Sequence, residues 1–187
     1  MLVVNGEAND DLSLRLAKLR AAHKLRPDYE FKFRRVSSKR VLRQPFFAAI
    51  ASLPFTIRVA IIDKRQLEQP LRHLSRPAFY AFFLNGLAHR AQGALPKARL
   101  ILDGDQRSKQ FARKVRWELA LLARRAGSPR WFGRMLEQSS AKSDGLQLAD
   151  MLVGAIAEWH LERQADLYHT FNNKIADIWY YPETSSI

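Results

Sequence analysis

The most informative stretch of the sequence is Ser143-Asp144-Gly145-Leu146-Gln147-Leu148-Ala149-Asp150. Apolar residues continue beyond it, and their spacing predicts a largely buried helix over 145–163, with Asp144 and Gln147 at capping-box spacing. An ionised Asp150 in such surroundings costs several kcal/mol unless a cation, a metal or strong hydrogen-bond donors offset it. Asp150 is therefore either a functional carboxylate or a structural group that pairs with an arginine or caps a neighbouring loop.

One face of this predicted helix carries two further residues of interest. Gln147 lies three residues before Asp150 and Gly154 lies four residues after it, so the three share a face. A glycine at position 154 would allow the backbone of another segment, or a ligand, to approach the helix closely. This face is the first candidate for a functional site.

Strand and helix patterns alternate along the rest of the chain. Predicted strands cover 2–4, 55–62, 99–102 and 131–136, and predicted helices cover about 10–23, 77–92 and 108–125. The unbroken apolar run Leu100–Leu102 predicts a strand that is covered on both faces in a partly parallel sheet. The alternation indicates an α/β fold in which helices flank a mixed sheet.

Composition narrows the class of protein. The chain has 187 residues and no cysteine, which excludes disulfide scaffolds, thiolate zinc sites and cysteine nucleophiles. The length favours one domain over 1–187, with 165–187 as a C-terminal extension of uncertain structure. No apolar run approaches the ~20 residues that a membrane span requires, so we expect a cytoplasmic protein without a membrane partner.

The charge is strongly positive and unevenly distributed. The net charge is +13, with 28 basic and seven acidic residues over 15–134, against three and eight over 135–187. Such a field attracts polyanions, which makes nucleic acid the leading partner class, although a membrane surface or a ribosome would also suit it. Lys109, Arg113 and Arg116 form a basic stripe at helical spacing. This stripe is either a phosphate-binding surface or a solvated face.

Several other acidic residues are weaker candidates. Asp103 ends a predicted buried strand, where open α/β sheets place ligands, whereas Asp105 favours a turn and helix cap. Asp63-Lys64 closes another strand and can form a local ion pair. Glu30 and Lys32 share one face of a predicted strand or extended segment over 29–33, which is equally compatible with a solvated edge.

The order of four segments is similar to that of a known family. Glu30-Phe31-Lys32, Ile62-Asp63-Lys64, Leu102-Asp103 and the stretch ending at Asp150 together resemble the family called domain of unknown function 3800. Gly-Leu-Gln-Leu-Ala-Asp is its most specific mark, and the resemblance extends to about Trp159. It implies a ribonuclease H-like mixed sheet flanked by helices, and a nuclease that hydrolyses phosphodiesters with divalent metal.

The resemblance also implies roles for individual residues. Asp103 and Asp150 take the places of catalytic acids that hold metal, and Glu30 matches an additional acidic ligand. Gln147, Lys32 and Lys64 would support them. Carboxylates of this kind suit Mg²⁺ or Mn²⁺ as the cofactor, with nucleic acid as the partner.

The chain departs from the family pattern at its start. The family usually opens with a strand that carries Asp-Glu-Ser-Gly, whereas this chain begins at what resembles the second strand, Leu2-Val3-Val4. The first, central strand and its metal ligand are therefore missing, unless an upstream segment or a partner subunit completes the sheet. Two hypotheses follow: a metal-dependent nuclease-like protein, or a non-catalytic nucleic-acid-binding or interaction domain on the same fold.

Overall fold

The computed structural model describes residues 1–34, 40–91, 95, 98–104, 109–127 and 131–182, and the chain is mixed α/β. The helices with described bounds are α1 (Gly6–Ala22), α2 (Arg43–Ile50), α3 (Arg76–Arg90), α4 (Lys109–Arg125), α5 (Asp144–His160) and the short α6 (Asp166–His169). The strands are β1 (Leu2–Val4), β2 (Phe55–Ile62), β3 (Arg99–Asp103), β4 (Arg134–Gln138) and β5 (Ile175–Tyr181).

The described strands form two sheets. One has the order β1-β2-β5, and its β1-β2 pair is antiparallel, with Val3 opposite Thr56. The other is the parallel pair β3-β4, in which Asp103 lies opposite Gln138. The parallel pairing at β3 confirms the expectation from its apolar run, and α4 lies between the two strands in the sequence, as a parallel connection requires.

The chain divides into two compact units. Unit 1 holds the described residues of Met1, Arg58–Gln138 and Asp177–Ile187, and unit 2 holds Leu2–Ile57 and Ser139–Ala176. Unit 1 therefore contains α3, α4, β3 and β4, whereas unit 2 contains α1, α2, α5 and α6. Strands β2 and β5 contribute residues to both units.

The core of unit 1 lies between its parallel strand pair and two helices. Ala81 of α3 and Val115 of α4 are fully buried and pack with Leu100 of β3 and Met135 of β4. A second apolar group links α3 to β5, because the Trp179 ring packs against Gly86 so closely that a Cβ atom at position 86 would overlap it. The structure also describes residues 165–182 of the C-terminal extension, whose structure the sequence leaves unassigned. This part of the chain forms the helix α6 and the strand β5.

The core of unit 2 is largely aromatic. Phe31, Phe46, Phe47 and Phe171 are fully buried, and successive ring centroids are 5.2, 5.7 and 5.4 Å apart. Leucines of α1 and α5 complete this core at helical spacing. Helix α1 starts where the Asn5 side chain accepts a hydrogen bond from the Ala8 N–H at 2.7 Å, which satisfies one of the free donors of the first turn.

Two burial predictions are wrong. Helix α5 is buried along one face only, and residues beyond that face, including Asp150 and Val153, are exposed. Strand β3 is covered on the face of Leu100, but Ile101 on the other face is 37% exposed. An apolar run shows that a segment tolerates burial, whereas the neighbours that would cover it come from elsewhere in the chain.

None of the helices in the described ranges combines the length and the apolar character that a bilayer-spanning segment needs.

Candidate functional site

Gln147 and Asp150 of α5 form hydrogen bonds with the main chain of the segment 29–33. The Phe31 N–H donates to Gln147 Oε1 at 3.0 Å, and the Phe33 N–H donates to Asp150 Oδ2 at 2.8 Å. Gln147 and Asp150 lie about one helical turn apart on α5, and their side chains reach N–H groups that are two residues apart in the other segment. The two side chains therefore satisfy backbone donors that would otherwise need water or another protein partner. We call Gln147, Asp150 and the segment 29–33 the α5 clamp.

The amide of Gln147 is fully engaged inside this clamp. Its side chain is 2% exposed, and its Nε2 donates to the Ser140 carbonyl at 2.9 Å. Its Oε1 also accepts from Arg20 Nη2 at 3.2 Å, and Arg20 in turn pairs with Asp144 at 2.8 Å. The predicted capping box is therefore wrong: Ser143 caps α5 by accepting from the Leu146 N–H, while Asp144 and Gln147 face other partners.

Gly154 explains how Phe33 fits against α5. A Cβ atom at position 154 would overlap the Phe33 ring, so only glycine admits the ring at this distance. The Arg43 guanidinium lies over the same ring, 4.1 Å from its centroid, and pairs with Glu158 one turn further along α5. The sequence predicts a close approach at Gly154 by a backbone or a ligand, and the structure shows instead the aromatic side chain of Phe33.

The predicted additional ligand Glu30 also has protein partners. Its Oε1 accepts the Ser140 hydroxyl at 2.6 Å and lies 3.2 Å from Lys32 Nζ. Glu30 and Lys32 thus form the ion pair that their shared face allowed. Residues 29–32 belong to no helix or strand, and Phe31 and Phe33 are buried while Glu30 and Lys32 are half-buried. The predicted alternation of buried and half-buried side chains is therefore present, although the segment forms no strand.

Asp103 occupies the position that the sequence predicted, at the end of a parallel strand. It is the last residue of β3 and is exposed, and the Gly104 N–H beside it donates to the Gln138 carbonyl at 3.1 Å. Asp103 belongs to unit 1, whereas Asp150 and Glu30 belong to unit 2. Asp105 lies outside the described residues.

The pair Asp63-Lys64 has a local role. Asp63 caps a short 3-10 helix, Lys64–Gln66, and accepts hydrogen bonds at 3.0 Å from both the main chain and the side chain of Arg65. The side-chain hydrogen bond from Arg65 is the main reason that the pKa of Asp63 is lower than usual. Lys64 is exposed, and it is Arg65, not Lys64, that pairs with Asp63.

The described residues offer no ready metal centre. Within the described ranges, no group of three or more His, Asp or Glu side chains is placed to hold a metal ion. In unit 2 the two predicted ligands, Asp150 and Glu30, accept hydrogen bonds from the protein itself. Mg²⁺ or Mn²⁺ therefore stays a prediction from the resemblance.

A pocket in unit 1 was missed by the sequence interpretation. It has a volume of about 490 Å³ and lies between one face of α4 and the segment 131–135. Arg113, Arg116 and Trp117 line it from α4, and Trp131 and Arg134 line it from the other side. The predicted basic stripe thus contributes two of its members to this pocket. The main chain of Lys109 starts α4, but its side chain lies outside the described part.

A sequence signal for this pocket exists. Arg113, Arg116 and Trp117 recur at helical spacing, so the sequence alone places a tryptophan beside two arginines on one face of a predicted helix. The contribution of Trp131 and Arg134 has no local signal, because these residues reach the pocket only through the pairing of β4 with β3.

Comparisons with known proteins identify no relative. No family model matches the chain, and no curated protein or solved structure matches it significantly. The class that fold and site define is therefore a mixed α/β protein with a basic, tryptophan-containing pocket, and its family stays a prediction.

Proposed function

We propose that this chain is a nucleic-acid-binding domain whose binding does not require metal. The observation that supports the proposal most is the outer surface of α4 in unit 1. Among the α4 residues whose side chains the structure describes, the exposed cations are Arg113, Lys114, Arg116, Arg124 and Arg125. Glu118 is the one acidic residue in the α4 sequence. We call these five cations the α4 basic face.

The net charge favours the same function. A chain of +13 attracts polyanions over long distances, and arginine is the side chain best suited to phosphate because its planar fork donates two parallel hydrogen bonds. Arg116 is also held in place, since its Nη2 donates to the Met135 carbonyl at 2.7 Å. A guanidinium that is already ordered loses less conformational entropy when it binds a phosphate.

The proposal is tested by binding of a labelled duplex of about 20 base pairs in EDTA, between about 50 and 200 mM NaCl. We expect the logarithm of the association constant to fall linearly with the logarithm of salt concentration. The double variant Arg113→Ala, Lys114→Ala should lower this slope by about 0.9 for each phosphate contact that it removes.

The matched control is Arg26→Ala, which removes one exposed cation from unit 2, where it pairs with Asp28. The control should bind with the same slope as the parent chain. Binding that disappears in EDTA, or the absence of salt-dependent binding, would contradict the proposal.

A metal-dependent nuclease of ribonuclease H-like architecture is the second candidate. The specific observation in its favour is the place of Asp103, exposed at the carboxyl end of a parallel strand, where α/β sheets place ligands. The family resemblance adds Asp150 and Glu30 as further ligands.

This candidate is tested by cleavage of labelled single- and double-stranded DNA and RNA in Mg²⁺ or Mn²⁺. Asp103→Asn and Asp150→Asn, prepared identically, control for contaminating nuclease. Cleavage that both substitutions abolish would establish the nuclease. If the parent chain and both variants bind nucleic acid but do not cleave it, the nuclease hypothesis fails and the non-catalytic binding domain remains.

A further inference from the structure

We infer that the pocket between α4 and the segment 131–135 binds an unpaired base of a single-stranded nucleic acid, with Trp117 as the stacking surface. This inference rests on the proposed nucleic-acid-binding function and names the form of nucleic acid that the site prefers. The pocket belongs entirely to unit 1, and its volume of about 490 Å³ lies within the range of small-molecule sites.

The two tryptophans of the pocket differ in how they are held. Trp117 is 63% exposed, which is rare for so large an apolar side chain and leaves much of the indole available. Trp131 is half-buried and has two partners: its Nε1–H donates to Asn85 Oδ1 at 3.2 Å, and its ring meets the His89 ring edge-on. Trp131 therefore forms a fixed wall, and Trp117 offers an open surface.

Small side chains give the pocket its depth. Ala120 and Ala123 lie on α4 beside Trp117, and Gly133 lies on the opposite side. Leu119 and Met135 add further apolar lining. A flat aromatic ligand suits a recess with an apolar lining and an aromatic wall, since stacking and burial both require a planar apolar face.

The charged lining of the pocket suits a phosphate backbone. Arg113, Arg116 and Arg134 contribute three guanidinium groups, and none of the described lining residues is an aspartate or a glutamate. A recess that combines apolar lining with cations is complementary to a nucleotide, which joins a planar base to an anionic phosphate.

A second recess continues the same surface. Arg113 and Trp117 also line a pocket of about 510 Å³, whose other residues include Ser75, Lys114 and Glu118. Trp117 thus borders two recesses, which places successive nucleotides of one strand within reach of the same indole. A base inside a duplex is stacked on both faces and paired at its edge, so it cannot stack on Trp117.

The experiment compares the affinity of the complete chain for labelled (dT)20 and for a duplex of equal length at one salt concentration. Trp117→Ala should weaken binding of (dT)20 by about fivefold to hundredfold, the range seen when one stacking side chain is removed. Binding of the duplex should change by less than about twofold, because the substitution removes no charge. Trp117→Phe, which keeps an aromatic ring, should retain most of the affinity for (dT)20.

A second variant tests the pocket without removing the tryptophan. Ala120→Leu fills the recess and should also lower the affinity for (dT)20 selectively. Two controls outside the pocket and outside the α4 basic face should leave the preference unchanged: Tyr180→Ala removes an exposed aromatic ring, and Arg26→Ala removes an exposed cation from unit 2.

The inference is overturned if Trp117→Ala binds (dT)20 as tightly as the parent chain, or if it weakens both probes equally. The proposed function would survive that result, because salt-dependent binding of the duplex would persist. If the parent chain binds neither probe at any salt concentration, the proposed function and this inference fail together.

Discussion

At the scale of single residues, two glycines have tertiary rather than local roles. Gly154 admits the Phe33 ring against α5, and Gly86 admits the Trp179 ring against α3. Neither has the positive backbone φ that glycine tolerates best, so close approach is the reason for glycine at both positions.

Gly154→Ala should destabilise the protein by about 1–3 kcal/mol, the usual cost of overpacking a core. Phe33 cannot easily move away, because Asp150 accepts its N–H and the Arg43 guanidinium covers its ring. Urea unfolding measures the change. Gly6→Ala is the matched control, since no atom lies within 4 Å of a Cβ at that position. Equal stability of Gly154→Ala and the parent chain would show that the ring is free to shift.

Asp177 gives the protein a specific acid sensitivity. Arg90 donates two hydrogen bonds to this carboxylate, at 2.6 and 3.0 Å, and they hold the pKa of Asp177 below its usual value. Because the pKa is lower in the folded state, the stabilisation is complete above the unfolded pKa of about 3.9 and is lost as pH falls through the folded pKa.

Asp177→Asn should therefore reduce stability near pH 7 by up to about 1 kcal/mol, since the pair is partly exposed, and should make stability less steeply dependent on pH in acid. Urea unfolding between about pH 3 and 7 measures both effects. Asp28→Asn, in the exposed pair with Arg26, is the control and should leave stability near pH 7 unchanged. Identical acid dependence of Asp177→Asn and the parent chain would contradict the role of Arg90.

At the scale of elements, α5 holds the main chain of the segment 29–33. Gln147 and Asp150 hold alternate N–H groups, and Gly154 and Glu158 position the Phe33 ring and Arg43 further along the helix. These residues follow one another on a single stripe of α5, because they are spaced by three or four positions. The stretch on which the family resemblance mainly rests therefore makes specific contacts within unit 2 through Gln147 and Asp150.

Substitutions at Asp150 separate this structural role from metal binding. Asp150→Asn keeps an oxygen that accepts the Phe33 N–H, so stability should stay within about 0.5 kcal/mol of the parent chain, whereas Asp150→Ala should cost about 1–2 kcal/mol. Urea unfolding distinguishes them, and Val153→Ala on the exposed side of α5 is the control. If Asp150→Asn and Asp150→Ala destabilise the protein equally, the hydrogen bond to the Phe33 N–H is not the stabilising contribution of Asp150.

At the scale of the whole molecule, the strong positive charge and the mixed α/β fold are compatible with both functional hypotheses. The expected mixed sheet is represented by two separate sheets in the described residues, one with an antiparallel pair and one parallel. The predicted acids are divided between the two units, with Asp103 in unit 1 and Asp150 in unit 2. The basic pocket, in contrast, is assembled within unit 1 alone, which is why it supports the binding function more directly.

Local patterns alone predict much of the secondary structure. The expected strands at Leu2–Val4 and Phe55–Ile62 match the observed bounds, and the expected helices α1, α4 and α5 begin and end within a few residues of the prediction. Helix and strand formation depends on residues a few positions apart, and net charge depends on composition alone, so both are readable without tertiary contacts.

The partners of each side chain depend on the tertiary structure. Asp150 meets Phe33 across 117 positions, and Gln147 meets Phe31 across 116. Trp131 joins α4 in one pocket only because β4 pairs with β3. Contacts between distant segments follow from the packing of whole elements, which no local pattern encodes. The sequence therefore predicts a basic α/β protein, while the fold decides which partners each carboxylate meets and which side chains line a pocket.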